Sequence, residues 1–542
     1  MRQITYIKYL FVLLGVTAFI FSSCKKNEWE PELDGEAPRL FRPVQKGTME
    51  ALGNYIEIAW YQNTQTNKYN VELSVDSFKT VSKSVEVIDT TAISIPDLLW
   101  DSLYQVRVIA VHPVDPAKNS RPADFGQFKT PRFPTIVESP VSSDVSRTSI
   151  LFKWRNEGNP VTEVRLVNPV DDAIISTTPL TAADITNAYV LIEGLTPATS
   201  YRIELYSGTE FRGENTYTTK EQLSGVVVDL QGFAPSDVNL KTIVDTISAG
   251  GTIVLKRGAN YEPASAPSFS KSITIMSGDD PLVPEKAKIG MVAVSNFGVA
   301  ANANIAALTF IDLELYTNDA AGKYLFNPSG ITANIEEMIF DNCIIHDMRG
   351  TARFRNDITV GQITINNSIV YNVGGYGVIT VDDAIAKVNN FTFTNSTLYN
   401  ADKLFTSKNN SSGKVIINSS TFYNAILSAN FIIDYTSTSL GAAGGIDFMN
   451  VVLGRAKGTN ATPPVYDIKG IRANPTTLVT SSNNFTTSDF TWRSDAAALM
   501  PETTPYTKTS ADIFTDVDNA DFTIKDGGFP GKATAGDPRW RP

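Results

Sequence analysis

The sequence predicts an all-β chain, two β-sandwiches followed by a right-handed parallel β-helix with an N-terminal capping helix. Three observations carry this. A seven-residue phrase returns from Phe310 to Tyr423 in five copies, with a degenerate sixth at Phe448, at intervals of 24 to 31 residues. That is the period of repeat units that bury their apolar face only by stacking. Upstream, two stretches share a plan of short alternating strands around one Trp each. Between them and the repeats, Asp237–Ile247 has apolar residues at helical spacing, as a helix capping the stack requires.

The chain opens with Arg2 and Lys8 before an apolar run from Tyr9 to Phe21, too short to span a bilayer and in the form of a signal peptide. The run ends at Phe21-Ser-Ser-Cys24, which resembles a relaxed bacterial lipobox; residues 1–24 are then the signal, with Cys24 as the lipidated residue. Residues 25–35 form a tether, and its acidic stretch from Glu28 resembles the sequence that sends such lipoproteins to the outer cell surface. The other cysteine, Cys343, lies inside a repeat, so no disulfide is expected. A net charge of −11 and a pI near 5.0 argue against a nucleic-acid partner, and an acidic polymer would bind only through local cations or a bridging metal.

Residues 36–130 and 134–220 are the two sandwiches. The first contains Tyr55–Trp60, Lys68–Leu73 and Leu103–Val111; the second contains Ile150–Trp154, Val161–Leu166 and Leu195–Leu205. Trp60 and Trp154 are expected in the cores. The phrase around Tyr201 resembles the late strand of fibronectin type III modules, with Tyr201 as the corner tyrosine. Short linkers make the pair a semi-rigid stalk.

Residues 223–542 form the β-helix. In its phrase the sixth column, Leu315, Ile345, Val370, Leu398, Phe422 and Leu453, points inward, each side chain contributing about 1.5–3 kcal/mol on burial. The third column, mostly Asn (Asn342, Asn367, Asn395, Asn450), sits at a bend, because Asn tolerates left-handed backbone, and its amides are expected to form an internal ladder. By parity the fourth column, Cys343, Ser368, Ser396 and Ser420, also points inward, which makes Cys343 core rather than nucleophile. The seventh column, Tyr316, His346, Tyr371, Tyr399 and Tyr423, points outward. Its rings serve either as a sugar-binding platform or stack on one another beneath a loop.

These features, with Lys271–Met276 and the ending Gly536-Asp-Pro-Arg-Trp540, resemble the pectate-lyase-like superfamily and uncharacterised β-helix lipoproteins of glycan-foraging bacteria. The resemblance implies an outer-membrane, cell-surface protein of a polysaccharide-utilisation system, with a pectin-like or other uronate polymer as ligand and a glycan-import complex as a partner. Ligand-binding candidates are the seventh column and Arg353, Arg355 and Lys408 on the strand after each phrase. Leu325, Phe354, Ile379, Phe405, Ile433 and Tyr466 are its inward positions. A lyase would use Lys408, set between Asp382 and Asp434, as base and Arg355 to neutralise the uronate carboxylate. Ca²⁺, if used, would fall to Asp357, Asp382 and Asp434. The lyase and polygalacturonase phrases are absent, so no cofactor and non-catalytic binding are the first expectation. A structural or adhesive role stays open.

Overall fold

A computed structural model describes residues 39–51 and 53–542; the signal peptide, Cys24 and the tether lie outside the described residues. The chain falls into two compact units, Met1–Thr135 with Phe211–Gly213, and Ile136–Glu210 with Glu214–Pro542.

The first unit is a sandwich. Ile56–Ala59 pairs with Ala92–Ile95, and a four-stranded antiparallel sheet runs in the order Lys83–Ile88, Lys68–Ser74, Leu103–Ala110, Ala123–Lys129. Strict alternation along Leu103–Ala110 buries Tyr104, Val106, Val108 and Ala110 on one face. Trp60 is buried edge-on to Tyr69, ring centroids 5.1 Å apart.

In the second unit the sandwich repeats, with Ser149–Lys153 on Tyr189–Glu193 against a sheet in the order Glu210–Thr218, Ser200–Ser207, Glu163–Val167, Ile174–Pro179. Trp154 is buried, and the Tyr201 hydroxyl accepts from the Thr196 backbone N–H at 3.0 Å, the corner bond anticipated for it. In the first sandwich Tyr104 makes the same bond from the Leu99 N–H. This second sandwich joins the β-helix in one unit, where Arg147 and Lys220 both donate to Asp279.

The β-helix is built of parallel coils. Its first sheet has ten strands, from Val227–Asp229 to Val479–Ser482, and from Ala303–Ile311 onward a second face follows each first-sheet strand after a corner of one or two residues. The capping helix is Leu240–Thr246, started by Asn239, whose side chain accepts from the Thr242 N–H, and seated by buried Leu240 and Val244. It does not lead into the first strand, because Val227–Asp229 precedes it and pairs with Gly251–Leu255.

Leu315, Ile345, Val370, Leu398, Phe422 and Leu453 lie in register and are buried. Asp312, Asn342, Asn367, Asn395, Ser419 and Asn450 all have positive φ, between 48° and 57°. The amide ladder is not internal, however. Its members are half-buried or exposed on the outer corner, since a left-handed residue turns its side chain away from the core. The interior of that corner holds Cys343, Ser368, Ser396 and Ser420; two of the hydroxyls satisfy the preceding coil, Ser368 Oγ accepting from the Cys343 N–H and Ser396 Oγ from the Ser368 N–H, while Ser420 Oγ donates to Asn418 O of its own coil. Burial pushes the Cys343 thiol up to about 12.

The ladders have a direction. Asn342 donates to Asp312, and Asn372, Asn400 and Asn424 donate in turn to Asp347, Asn372 and Asn400. Each amide points to the preceding coil, so the first rung needs only an acceptor. An Asp supplies it in both ladders, which is the chemical reason for Asp where later coils carry Asn.

The last residues cross the coils. Asn483 Nδ2 donates to Thr534, the Gly536 N–H to Asn450 O, the Asp537 N–H to Thr421 Oγ1, Trp540 Nε1 to Thr397 Oγ1, and Arg539 to Asn367. In the seven residues from Thr534 to Trp540 this strap touches five successive coils. Gly536 is required there, with φ of +77° and a Cβ position 2.8 Å from Thr421 Oγ1. Ahead of it Phe514, Phe522 and Phe529 form a core of their own over Tyr423, Val452 and Phe485.

Candidate functional site

The seventh column points outward but is not a platform. Parallel coils in register set Tyr316, His346, Tyr371 and Tyr399 face to face at 5.5, 4.6 and 4.7 Å, with interplanar angles of 11° or less. A sugar binds to a free ring face, and stacking leaves only edges. Phe522 of the C-terminal segment covers Tyr399 and Tyr423, and His346 and Tyr423 are buried. His346 is further held between carboxylates, Nδ1 at 2.8 Å from Asp347 and Nε2 at 3.2 Å from Glu314, and that hydrogen bond draws the Glu314 carboxyl below its ordinary range. Burial pushes Tyr371 up to about 12. The column is structural cladding.

The third face of the coils is different. There Ala352, Ile379, Phe405, Ile433 and Ile471 pair in register and are buried, as are Leu325 and Phe354. Tyr466 is not in this series. It stands outside, its ring 5.1 Å from the Arg455 guanidinium, because five further residues are needed before Ile471 meets Ile433.

On the outside of this face, side chains from four coils converge. Tyr324 and Tyr376 meet edge to face at 5.5 Å across Gly350, which has no side chain to separate them. Around the Tyr376 ring stand Arg353 at 4.2 Å, Arg349 at 4.7 Å and the Lys408 ammonium at 5.8 Å. One carboxylate serves them. Asp382 accepts from Arg353 Nε at 2.6 Å and from Lys408 Nζ. Burial works against its charge, yet these two donors hold its carboxyl below the usual range. Burial likewise opposes the Arg353 charge, and Asp382 reverses the effect and raises it.

Three cations and one carboxylate leave two positive charges on one ring. Among the described residues Arg349 has ring contacts but neither a hydrogen bond nor an ion pair. The same face also holds buried polar atoms with no hydrogen-bond partner, Tyr324 Oη, Asn327 Oδ1, Thr351 Oγ1, Arg355 Nε and Thr406 Oγ1. Such atoms ordinarily find water or ligand.

A second cluster tests the inference. The Phe431 ring carries Lys469 at 4.8 Å and Arg472 at 4.6 Å, but Lys469 pairs with Asp495 and Arg472 with Asp434 through two bonds, of 2.7 and 2.9 Å. It is neutral and self-sufficient. Arg353, Thr380, Thr406, Asp434 and Arg472 follow one another in register, so at the usual strand spacing Arg353 and Arg472 lie about 19 Å apart, and the coils that carry Tyr376 and Phe431 about 10 Å.

The structure therefore brings Arg353, Lys408 and Asp382 together and separates the rest of the lyase set. Lys408 stands on the coil between those of Asp382 and Asp434 but pairs with Asp382 alone, since Asp434 is taken by Arg472. As an ammonium donating to Asp382 it carries the proton that a base must have lost. Arg355 is half-buried apart from the Asp382 pair. Asp357, exposed, accepts only from Thr332 at 3.2 Å, and among the described residues no three Asp, Glu, His or Cys side chains gather as metal ligands. The proposed Ca²⁺ set of Asp357, Asp382 and Asp434 does not converge.

Two family models match the β-helix, both described as domains of unknown function: DUF4957 over residues 259–401 and DUF5123 over residues 415–540. No curated protein matches. Among solved structures, the chain is similar to the FN1–FN3 domains of chicken CNTN1, at 17% identity over 34% of this chain and 69% of that one, with a TM-score of 0.15. It is also similar to a two-domain fibronectin type III segment of chicken tenascin, at 15% identity over 33% of this chain and 99% of that one, TM-score 0.21.

Sequence reasoning missed Tyr324, Arg349 and Tyr376. A signal existed for two of them. Arg349 follows the Asp347 corner directly before Gly350, and Tyr376 stands in Gly374-Gly-Tyr-Gly377, where Gly377 has a φ of +68° and a Cβ position 2.5 Å from Lys403 Cβ. Glycine at 350 has the same purpose. A Cβ there would stand 2.9 Å from Tyr376 Cβ and 3.2 Å from Tyr324 Cδ1. Gly350→Ala is expected to cost about 1–3 kcal/mol and part the two rings, measured as a lowered melting temperature and an altered near-ultraviolet tyrosine signal.

Proposed function

We propose that this is a surface-anchored lipoprotein, lipidated at Cys24, whose sandwiches form a stalk and whose β-helix binds an acidic polysaccharide without cleaving it. The supporting observation is the surplus charge at Tyr376. Three cations around one ring repel one another at a cost that a bound anion relieves, and Arg349 has donors to spare. Uronate polymers, pectin-like ones first, fit an aromatic surface fringed by guanidinium groups. The net charge of −11 repels such polymers at long range, so binding is local and short-ranged. Single sites of this kind bind at about −4 to −8 kcal/mol, and many copies on one cell surface add avidity.

The test incubates the chain from Lys25 onward with uronate and neutral polysaccharides plus Ca²⁺, following gel mobility and ultraviolet absorbance together. Retardation by uronate polymers without new absorbance is expected. Unretarded migration with every polymer would remove the reading, and new absorbance would replace it with a lyase.

A further inference from the structure

The first sandwich has an edge unlike the rest of this acidic chain. Its opening segment is fixed at three residues: Leu40 is buried and its N–H bonds to Lys118 O, Pro43 is buried, and Gln45 bridges Trp60. The residues between face outward. Phe41 is 67% exposed, Val44 62%, and Tyr61, whose N–H bonds to Val44 O, 59%. Asn63 Nδ2 bonds to Phe41 O at 3.2 Å, which ties Phe41 to the strand end that carries Tyr61.

Arg39, Arg42 and Lys46 are interleaved with these apolar groups and are exposed, the Lys46 ammonium 6.0 Å from the Tyr61 ring. No acidic residue occurs from Ala37 to Met49. The nearest acid on the Tyr61 face of its strand, Glu57, is four residues away and paired along the backbone with Ser94. Exposed aromatic and aliphatic side chains on a rigid edge, with three cations among them, match the interface of an anionic bilayer, where rings enter the headgroup layer and cations meet lipid phosphate.

We infer that this edge, Phe41, Val44 and Tyr61 with Arg39, Arg42 and Lys46, rests on an anionic lipid surface. The inference rests on the lipid-anchor reading in one respect. The described chain begins at Arg39, and Lys25–Pro38, fourteen residues after Cys24, span at most about 50 Å fully extended. This edge is thus where the chain leaves the tether, and anchoring holds it within reach of the bilayer at high effective concentration. The tether is itself acidic, so lipid phosphate repels it and leaves contact to the edge.

The test uses two soluble chains without lipid, Lys25–Pro542 and Arg39–Pro542, both containing every described residue. Each is sedimented with vesicles of phosphatidylglycerol and phosphatidylethanolamine, and with vesicles of phosphatidylcholine. Both chains are expected to co-sediment with the anionic vesicles only, less so as salt rises. Arg39→Gln, Arg42→Gln and Lys46→Gln together should weaken binding roughly 100-fold, at about fivefold per cation. Phe41→Ser with Val44→Ser should weaken it with the charges intact, and circular dichroism checks that both variants fold.

Absence of binding, equal binding to phosphatidylcholine, or full binding by the triple variant would overturn the inference. So would binding by Arg39–Pro542 alone, since the acidic tether would then be the occupant of the edge. Incorporation of labelled palmitate by the full chain, lost in Cys24→Ala, tests the anchor separately and leaves the vesicle result standing either way.

Discussion

A chain ending at Thr534 is expected to unfold in two steps, its C-terminal coils first. Coils of a solenoid touch only their neighbours, so stability is close to a sum of local terms and cooperativity fades along the stack. The strap breaks that rule by bonding Thr534, Gly536, Asp537, Trp540 and Arg539 to five coils between Asn483 and Asn367. Removing it forfeits four of those five contacts and the packing of Trp540 on Phe522. At about 1 kcal/mol per hydrogen bond and a few for a partly buried Trp, the loss is roughly 5 kcal/mol. Thermal unfolding followed by circular dichroism should show one early transition absent from the full chain. Coincident transitions would mean that the strap adds nothing to the coupling of the coils.

Buried Asp537 makes the strap's contribution depend on pH. Desolvation raises its pKa, although Arg539 and a hydrogen bond from Thr397 pull it down. A carboxyl with a raised folded pKa contributes stability below the unfolded value near 3.8 and loses it as pH rises through the folded value. At neutral pH the strap therefore holds in spite of this group.

Most of the coil was legible because parity is a strong constraint. Once Ile345 points inward, Cys343 must as well and His346 must not, and each residue follows this rule in every copy. Positive φ at the third column was equally legible, since Asn and Asp there had no other use. The second ladder could have been found from the same copies. His346-Asp, Tyr371-Asn, Tyr399-Asn and Tyr423-Asn repeat an acceptor-bearing residue at a second corner, and all four have positive φ. What parity cannot supply is the length of the excursion after that corner. Intervals of 24 to 31 residues vary mainly there, so alignment drifts on the third face, and Tyr466 was placed five residues early. The cation cluster sits in this unaligned part. Its rings and charges come from four coils, and no local pattern joins Tyr324 to Lys408. Gly536–Trp540 was likewise visible as a motif, while the five coils it laces are set by three-dimensional path alone.

Replacing Arg349 by Ala is expected to weaken binding of a uronate polymer about 10- to 100-fold and leave the melting temperature unchanged. Its guanidinium touches Tyr324 at 5.9 Å and Tyr376 at 4.7 Å and has no hydrogen bond or ion pair among the described residues. Little is lost from the folded state when it goes. A charge-assisted hydrogen bond to a ligand carboxylate contributes about 1.5–3 kcal/mol, which sets the range of the effect. Arg472→Ala should behave in the opposite way. Its two bonds to Asp434 beside Lys469 and Asp495 make a neutral group that needs no ligand, and removing it leaves a partly buried carboxylate unpaired. Stability should fall by about 1–3 kcal/mol with binding intact. Isothermal titration and thermal denaturation of both variants decide the matter, because surplus charge and structural charge then separate into different columns of data. Equal loss of binding in both would place the polymer along the whole face. Loss in neither would move the ligand away from Tyr376.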